Sequence, residues 1–575
     1  MTDRELTPLR SILAELAPQG RSALLPALHA AQQLCSWLPE PIAAEVGRAL
    51  GVPLADVHGV IDFYAMFNRQ PVGRTVVRVC TAPVCALAGA QAVADALCRH
   101  LQIEPGEASS DGRFTVEHAP CLGLCDHAPA LLVGEATVAH ADPTQAAGIC
   151  ATSGERALSF VGGDIRSLTN NCGQGHPTSL ADYRARDGYA GLKKALMMTP
   201  QDVLAEVKAA GLVGRGGAAF PTGVKWEGAA NAPGQPKYIV CNADESEPGT
   251  FKDRILLEED PHRTIEGMVI AAYAVGANQG YIYVRGEYPY AFKVTSEAVA
   301  EARQTGVLGA NILGAGFSFD IEMRLGAGAY ICGEETALLE SIEGKRGLPR
   351  IKPPFPTTQG LFGKPTVINN VETFCNIPLI LERGAAEYRK TGTDRSPGSK
   401  LFCVSGQIQK PGLYEVPFGA TLRHLLFDLA GGLKPGRTLQ GVLIGGAAGA
   451  FATEKDLDVI LSFEDLSAAG LPLGSGAVMV FDDSADMRDV LKRIAHFFAD
   501  ESCGKCYPCQ LGARRQYEIL DRAAAGIPVA GDRERLSDVG STMIDASLCG
   551  LGQTAPTAIL SAMKLWPEMF EKETE

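Results

Sequence analysis

No run of about 18 apolar residues occurs in the chain, so the sequence predicts no membrane-spanning helix. The first 20 residues carry acidic side chains and lack a long apolar stretch, and we therefore expect no secretory signal peptide. No internal repeat or low-complexity segment is found either. These absences together predict a soluble, cytoplasmic protein.

Basic side chains are fewer than acidic ones. The 52 Lys and Arg residues face 66 Asp and Glu residues, which gives a formal net charge of −14 at pH 7. This balance disfavours a nucleic acid or an anionic membrane as a partner. The 575 residues are too many for one hydrophobic core, and the hydrophobic content of 46% is ordinary for a globular protein. We therefore expect roughly three to five domains.

Hydrophobic periodicity changes several times along the chain, and each change marks a predicted boundary. The predicted fold class is multidomain, α/β and α+β, with a separate helical part at each end. The predicted regions are a helical segment (1–70), a small α/β unit (71–149), a polar linker (150–185), a larger α/β domain with glycine-rich turns (186–395), a β-grasp-like module of strands around one helix (396–484) and a helical bundle (485–575).

The chain has sixteen cysteines, which are expected to be thiols or metal ligands rather than disulfides because no secretory signal is predicted. Eight stand alone and eight form two sets of four. The first set has the pattern C-x4-C, thirty-five residues, C-x3-C, and consists of Cys80, Cys85, Cys121 and Cys125. The second has C-x2-C-x2-C in "ESCGKCYPCQLG", and consists of Cys503, Cys506 and Cys509 with Cys549 after a gap of thirty-nine residues.

Each cysteine set has the spacing of an iron–sulfur site. Two irons that share two sulfides need two thiolates each, and the loop-borne pairs of the first set can supply them. A [4Fe–4S] cube takes one thiolate at each corner, which suits a close trio with a distant fourth cysteine. Structural zinc is the alternative for both sets, although zinc rarely uses three cysteines spaced by two. Unrelated buried cysteines are a further alternative for the first set.

A glycine-rich stretch, "GLVGRGGAAFPTGVKWE" at 211–227, lies near the middle of the chain. Missing side chains allow backbone N–H groups to approach a phosphate or a flat ring. A Rossmann fingerprint would need a strand before the glycines, but a helix-like segment precedes them here. A P-loop would need a Gly-Lys-Ser/Thr sequence, which does not follow. Taken alone, the stretch is explained equally well as a tight turn.

Three further segments combine acids, amides and glycines: "CNADESEPGTFKDR" (241–254), "GAGAYICGEETALLESIEGKRGLPRIKPPFP" (326–356) and "PTVINNVETF" (365–374). Carboxylates accept hydrogen bonds from ribose or ribityl hydroxyls, as they do in dinucleotide sites. A solvated surface explains each acid singly. It explains poorly why such segments share one predicted domain with the glycine-rich stretch.

These motifs resemble two subunits of respiratory complex I. "GVIDFYAMF" followed by the first cysteine set is similar to the thioredoxin-like [2Fe–2S] subunit over residues 5–145. The four glycine and acid segments, with the second cysteine set, resemble the flavin-bearing, NADH-oxidising subunit over residues 185–575. The resemblance implies a thioredoxin-like domain, a Rossmann-like FMN domain, a [2Fe–2S] cluster on the first cysteine set and a [4Fe–4S] cluster on the second. It also supports Cys549 over Cys403 as the fourth ligand.

The resemblance further implies which residues contact the cofactors. The implied FMN contacts are Gly214, Arg215, Gly216, Lys225, Asn242, Asp244, Glu245, Gly333, Glu334, Asn369, Asn370 and Thr373. The implied NAD(H) contacts are Phe220, Glu247, Glu335, Lys352 and Phe355. Relatives can carry another aromatic residue just after "KW", where this chain has Glu227 and Gly228. We nominate no catalytic acid, base or nucleophile, because hydride transfer between nicotinamide and flavin is carried by the cofactors.

Both complex I modules are fused in this chain, and that fusion is most similar to the flavin subunit of soluble NAD-reducing [NiFe]-hydrogenases. The implied function is a diaphorase that exchanges electrons with an iron–sulfur subunit and a hydrogenase module. The flavin subunits of NAD-dependent formate dehydrogenases, electron-bifurcating hydrogenases and complex I remain alternatives. Outside this class, the alternatives are a scaffold with an inactive flavin site and a zinc-bearing binding module.

Overall fold

The computed structural model describes residues 3–153 and 156–570. The N-terminal part of the chain is helical, as predicted. Its helices are α1 (Asp3–Leu16), α2 (Leu24–Cys35), α3 (Glu40–Leu50) and α4 (Leu54–Phe63). Apolar residues three and four positions apart bury one face of each helix, for example Leu24, Ala27, Leu28 and Ala31 of α2.

The small α/β unit follows. Its strands are β1 (Thr75–Cys80), β2 (Phe114–Ala119), β3 (Leu131–Val133) and β4 (Ala136–Val138), and its helices are α5 (Pro83–Leu87), α6 (Ala90–Leu101) and α7 (Ala146–Cys150). The strand order is β2-β1-β3-β4, with β1 parallel to β2 and antiparallel to β3. Helix α6 is the parallel crossover between β1 and β2, so the sequence prediction of a helix between two strands is confirmed.

A larger α/β region contains one four-stranded sheet, which we call the central sheet. Its elements, preceded by β5 (Val161–Gly163) and α8 (Leu180–Arg184), are α9 (Ala190–Leu196), α10 (Pro200–Ala209), α11 (Thr222–Asn231), β6 (Tyr238–Ala243), α12 (Lys252–Glu259), α13 (Pro261–Val275), β7 (Gln279–Val284), α14 (Pro289–Gln304), β8 (Asp320–Leu325), α15 (Glu335–Ile342), α16 (Pro356–Gln359), β9 (Thr366–Asn370), α17 (Val371–Arg383) and α18 (Ala385–Tyr388). The strand order is β8-β7-β6-β9 and all three pairings are parallel. Helices cover the sheet, so the residues of β6 and β7 are largely buried.

The remaining chain forms a second sheet and a helical end. The strands are β10 (Ser399–Gly406), β11 (Gly412–Pro417), β12 (Leu439–Ile444), β13 (Ala450–Ala452) and β14 (Ala477–Asp482), with a π-helix at His424–Leu429 and α19 at Phe463–Ala468. The C-terminal helices are α20 (Met487–Glu501), α21 (Tyr507–Ala524), α22 (Asp532–Ala546), α23 (Gly550–Thr554) and α24 (Thr557–Leu565). The sheet order is β13-β12-β14-β10-β11-β5. We call this sheet, together with the loops and helices within residues 399–482, the distal sheet.

The stretch predicted to be a linker is packed into this architecture. Strand β5 pairs in parallel with β11, and Leu168 and Tyr183 are buried. The buried carboxylate of Glu415 on β11 accepts hydrogen bonds from the backbone N–H groups of Leu168 at 2.9 Å and Thr169 at 3.0 Å. Residues 154 and 155 of the predicted linker lie outside the described residues. The stretch thus joins the two halves of the chain and also fastens the distal sheet to the central region.

One hydrophobic cluster runs through the N-terminal helices, the first sheet, the central sheet and the C-terminal helices. A second, smaller cluster lies within the distal sheet and its helices. Among the described helices, none is both long and apolar enough to cross a membrane.

Candidate functional site

Two neighbouring strands of the central sheet carry the amides that the sequence singled out, and the acidic segment follows the first of these strands. β6 and β9 run parallel, with Cys241 opposite Asn369 and Asn242 opposite Asn370. The carboxyl ends of parallel strands meet at one edge of the sheet, where α/β folds bind their ligands. The Asn242 side chain donates to the carbonyl oxygen of Gly333 at 2.8 Å, which brings the third segment to the same edge.

The glycine-rich loop lies against this edge. It follows α10 and precedes α11, which confirms that no strand leads into it. The backbone N–H of Gly214 donates to the carbonyl of Phe220 at 2.9 Å and closes the loop. A β-carbon added at Gly216 would lie only 3.0 Å from the β-carbon of Asn370. The close approach of the loop to the end of β9 therefore depends on glycine at position 216.

The acidic segment after β6 contains one buried oxygen that lacks a partner. Asp244 Oδ1 accepts a hydrogen bond from Ser246 at 2.9 Å, but Asp244 Oδ2 is buried without one. Burial raises the pKa of Asp244 well above its usual value. An orphaned acceptor of this kind, next to Gly333, fits a ligand that brings hydroxyl groups, such as the ribityl chain of FMN.

Glu245 and Glu334 are held mainly by backbone groups. Glu245 accepts the N–H groups of Asp253 and Arg254 at 3.0 Å, at the start of α12, while burial raises its pKa to about 7. Glu334 is the N-cap of α15 and accepts the N–H of Thr336 at 2.8 Å. Both acids therefore orient helix ends beside the site. A contact of either with FMN is not tested by these bonds and stays a prediction.

Glu335 lies between Lys225 and Lys352, and we call the place where these three side chains meet the mouth of the site. Its carboxylate is 3.3 Å from Lys225 Nζ and 2.9 Å from Lys352 Nζ. Burial opposes ionisation, yet the two lysines lower the pKa of Glu335. Lys225 also donates to the carbonyl of Ile368 at 3.1 Å, which ties this ion-paired group to β9.

Exposed aromatic rings flank the same mouth. The side chains of Phe220 and Phe355 are 50% and 56% exposed, and Lys225 Nζ lies 5.8 Å from the centre of the Phe220 ring. Exposed rings next to buried polar groups suit a flat heterocycle such as nicotinamide or adenine. The departure from the family pattern is visible here as well, because Glu227 is ion-paired with Lys208 at 2.8 Å where an aromatic residue can follow "KW".

The end of β9 and the start of α17 are held by short polar contacts. Asn369 accepts a hydrogen bond from Trp226 Nε1 at 2.8 Å, and Asn370 donates to Asp253 at 2.6 Å. Thr373 Oγ1 accepts the backbone N–H of Arg215 at 2.9 Å. The Arg215 guanidinium, in contrast, is buried against Pro397 and Phe418 and points away from this edge.

Sequence reasoning missed two residues that the structure brings to the site. Lys252 is buried and lies 2.7 Å from Asp253, 3.3 Å from Glu372 and 3.3 Å from Asn370 Oδ1. Burial alone would lower the pKa of Lys252, but the neighbouring carboxylates raise it. The Tyr330 hydroxyl donates a hydrogen bond to Glu247, and burial raises the pKa of Glu247 to about 7. Both residues fall inside the segments quoted above, but their partners are set by tertiary contacts.

The four cysteines of the first set come together where β1 and β2 end. Cys121 lies close to Cys125 and Cys80, and these neighbouring thiols lower the pKa of Cys121 well below its usual value. Cys121 and Cys85 in turn raise the pKa of Cys80 well above its usual value. Arg285 joins this set to the acidic segment, because it donates to the carbonyls of Cys121 and Glu245, each at 2.7 Å.

The second cysteine set lines one cavity. Its wall contains Cys503, Cys506, Cys509 and Cys549, together with Ile331 and Pro349. Burial raises the pKa of Cys509 and of Cys549 to about 11, so cluster binding would displace protons from these thiols. Ile331 belongs to the segment that carries Gly333 and Glu335, and the N–H of Tyr330 donates to Glu501 at 2.9 Å. The cavity therefore borders the candidate flavin site directly.

Among the described residues, no three His, Cys, Asp or Glu side chains are arranged to hold a single metal ion. Ligands of an iron–sulfur cluster bind different iron atoms and do not converge on one point. In both cysteine sets the thiols are neighbours. They fit clusters by donor type and by grouping, and their assignment as ligands stays a prediction.

Three family models match the chain. Residues 9–153 match the thioredoxin-like [2Fe–2S] ferredoxin, residues 207–379 the Nuo51 FMN-binding domain, and residues 489–573 the iron–sulfur binding region of NADH-ubiquinone oxidoreductase F. These ranges contain both cysteine sets and the residues predicted to contact FMN and NAD(H).

Whole-chain comparisons point the same way. The chain is 36% identical to the NAD-reducing hydrogenase HoxS subunit alpha of Cupriavidus necator over 96% of this chain and 92% of that protein. It is 48% identical to the NADP-reducing hydrogenase subunit HndC of Solidesulfovibrio fructosivorans over 72% of this chain and 84% of that protein. A solved NAD+-reducing [NiFe]-hydrogenase in the H2-reduced state superposes with a TM-score of 0.85 and 33% identity, over 97% of this chain and 93% of that one.

Substitution of Glu335 by alanine is expected to weaken NAD(H) use more than flavin retention. The change removes the carboxylate at the mouth and leaves the glycine loop and the ends of β6 and β9 intact. We expect the KM for NADH to rise by about tenfold, which corresponds to one charge-assisted hydrogen bond, with the FMN content unchanged. Steady-state kinetics and the flavin absorbance of the purified protein measure the two quantities.

Glu340→Ala is the matched control, because Glu340 lies on the same helix and is also ion-paired, with Arg350 at 2.5 Å. It should leave the KM for NADH near the wild-type value. An equal loss of flavin and of NADH affinity in Glu335→Ala would count against the assignment.

Proposed function

Because the chain belongs to the family of NAD-reducing hydrogenase and NADH-quinone oxidoreductase flavin subunits, we propose that it is a diaphorase. It binds FMN, NAD(H), one [2Fe–2S] cluster and one [4Fe–4S] cluster. Bound FMN would supply the chemistry that converts hydride exchange with NAD(H) into single-electron transfer. The chain itself binds and orients the reactants, with the glycine loop, the ends of β6 and β9, and the 326–335 segment forming one site.

A single observation carries this proposal most strongly. The 326–335 segment contributes Gly333 to the sheet edge, Glu335 to the mouth and Ile331 to the cavity of the second cysteine set. One stretch of chain thus borders the positions that we propose for the flavin, the nucleotide and the cluster. A zinc-bearing binding module gives no reason for such an arrangement.

The terminal partner is proposed to be a hydrogenase module reached through an iron–sulfur electron-transfer subunit. The supporting observation is the extent of the matches: the hydrogenase subunit of Cupriavidus necator aligns with 96% of this chain, whereas the NADH-quinone oxidoreductase relative in Aquifex aeolicus aligns with 68%. Fusion of both modules in one chain therefore favours the hydrogenase over complex I. Formate dehydrogenase and electron-bifurcating hydrogenase remain the alternatives.

Several finer assignments belong to the same proposal. We assign the distal sheet to a β-grasp-like domain, and α20–α24 to a bundle that carries the [4Fe–4S] cluster on Cys503, Cys506, Cys509 and Cys549. Cys80, Cys85, Cys121 and Cys125 would hold the [2Fe–2S] cluster. A cytoplasmic location remains the prediction made from the sequence.

The diaphorase proposal predicts NADH-dependent reduction of ferricyanide or viologen by the chain reconstituted with FMN and both clusters. NADH should bleach the flavin absorbance before the dye is added. A flavin-loaded protein that shows neither bleaching nor turnover would identify a scaffold with an inactive site. Metal analysis that finds zinc without iron and sulfide would identify the binding module instead.

The partner assignment predicts that the native complex reduces NAD+ with hydrogen. Hydrogen- and formate-dependent NAD+ reduction are compared on the same purified complex, with the dye assay as the control for an intact flavin site. Activity with formate alone would replace the hydrogenase by a formate dehydrogenase and leave the diaphorase proposal standing.

Cys80→Ser should abolish the [2Fe–2S] signal in electron paramagnetic resonance and retain most of the NADH:dye activity. The reason is that the cavity of the second cysteine set is bordered by Ile331 of the 326–335 segment and not by Cys80. Cys98→Ser is the matched control, since Cys98 is a half-buried thiol of α6 outside both sets. Complete loss of dye activity in a folded Cys80→Ser protein would contradict this arrangement.

A further inference from the structure

We propose that Arg215 is a positioning residue, whose side chain anchors the glycine-rich loop of the flavin site to the distal sheet. The inference rests on the proposed function, because the loop is taken to hold FMN. It assigns to the distal sheet a role in flavin retention, and to Arg215 a role different from direct contact between its guanidinium and the flavin.

The two ends of Arg215 have different partners. Its backbone N–H donates to Thr373 Oγ1 at 2.9 Å, at the start of α17. Its side chain is completely buried, and Nη2 donates to the carbonyl of Pro397 at 2.8 Å and contacts the Tyr388 hydroxyl at 3.4 Å. The central carbon of the guanidinium lies 4.7 Å from the centre of the Phe418 ring. Arg215 thus reaches from the glycine-rich loop to Pro397, just before β10, and to Phe418 of the distal sheet.

The environment of the guanidinium is unusual for a structural arginine. Nε and Nη1 are buried without a hydrogen-bond partner, and within the described residues no carboxylate lies in ion-pair contact with Arg215. Aromatic rings surround these two nitrogens instead of acceptors. Besides Phe418, Phe463 of the distal sheet has its ring centre 6.0 Å from the central carbon of the guanidinium. A cation over aromatic rings is stabilised by their quadrupoles, and more so when water is excluded.

Glu372, whose pKa the Arg215 charge helps to lower, is already engaged. Glu372 lies 2.5 Å from Lys400 of β10 and 3.3 Å from Lys252 of α12, and neither oxygen is shared with the guanidinium. A buried charge without a paired carboxylate is costly. Arg215 is therefore kept in place by the fit between the loop, α17 and the distal sheet, and a displacement of any of them would expose or strand the charge.

Other contacts of the distal sheet reach the same site. A β-carbon added at Gly217, two residues after Arg215, would lie 3.9 Å from Gly474 and Ser475. The N–H of Ala448 donates to Glu247 Oε1 at 2.7 Å. The sheet thus backs the flavin loop and the acidic segment together, and Arg215 is the side chain that inserts from the loop into it.

Arg215→Met tests the anchor, because methionine retains much of the side-chain length and loses the donors and the charge. FMN is titrated into the deflavinated full-length protein, and binding is followed by quenching of flavin fluorescence, without NADH. We expect the dissociation constant of FMN to rise by about tenfold or more, as for loss of a buried charged hydrogen bond.

The matched control is Arg263→Met. Arg263, on α13, is also buried, but it is paired with Asp260 at 2.8 Å. If the loss of any buried guanidinium loosened the protein, both variants would lose FMN affinity together, and the proposal would be overturned. Arg215→Lys, which keeps the charge, should recover part of the affinity that the methionine variant loses.

Should Arg215→Met fail to fold, Phe418→Leu tests the other half of the contact. It keeps an apolar side chain in the smaller hydrophobic cluster and removes the ring face, so a rise in the dissociation constant of about threefold is expected. Unchanged FMN affinity in a folded Arg215→Met or Phe418→Leu protein refutes the anchor. Failure of the wild-type protein to bind FMN at all would instead refute the proposed function.

Discussion

The parallel pairing of β6 with β9 is the constraint on which the candidate site depends. It places Asn242 opposite Asn370, although the two residues are far apart in the sequence. The loops that leave the carboxyl ends of the two strands must then share one edge of the sheet. The glycine loop fits against that edge because glycine at 216 allows it to approach Asn370. A change of register by one residue would send these amides to the opposite face of the sheet.

Charge is organised around this edge by burial. The ammonium group of Lys252 is buried between the carboxylates of Asp253 and Glu372, so a cation is held beside the site and away from solvent. Such a buried cluster contributes little net stability by itself, since desolvation offsets the attraction between the charges. Its effect is to fix Asn370 and the start of α17 in one arrangement. Arg285 likewise fixes the first cysteine set relative to the acidic segment, because its side chain donates to the carbonyls of both Cys121 and Glu245.

The family models and relatives account for the order of the modules, and the contacts between modules explain why they are found together. The "GVIDFYAMF" motif is an example. The backbone N–H groups of Ala65 and Met66 donate to the carbonyls of Gly328 and Ala327, at 3.1 and 2.9 Å. The N-terminal helices therefore hold the segment that borders both the nucleotide mouth and the second cysteine set. A motif that identifies one module also serves as a support for the site in another.

The sequence by itself determined the cysteine spacings, the glycine and acid segments and most helices and strands, because these follow from local periodicity and from residue chemistry. It could not reveal that the stretch at 150–185 would be packed, since strand β5 is stabilised by β11, more than 200 residues away. It also could not place Lys252 or Tyr330 at the site, or turn the Arg215 side chain from the loop into the distal sheet. Those features are set by partners distant in the chain, and only the folded structure decides which buried charge meets which acceptor.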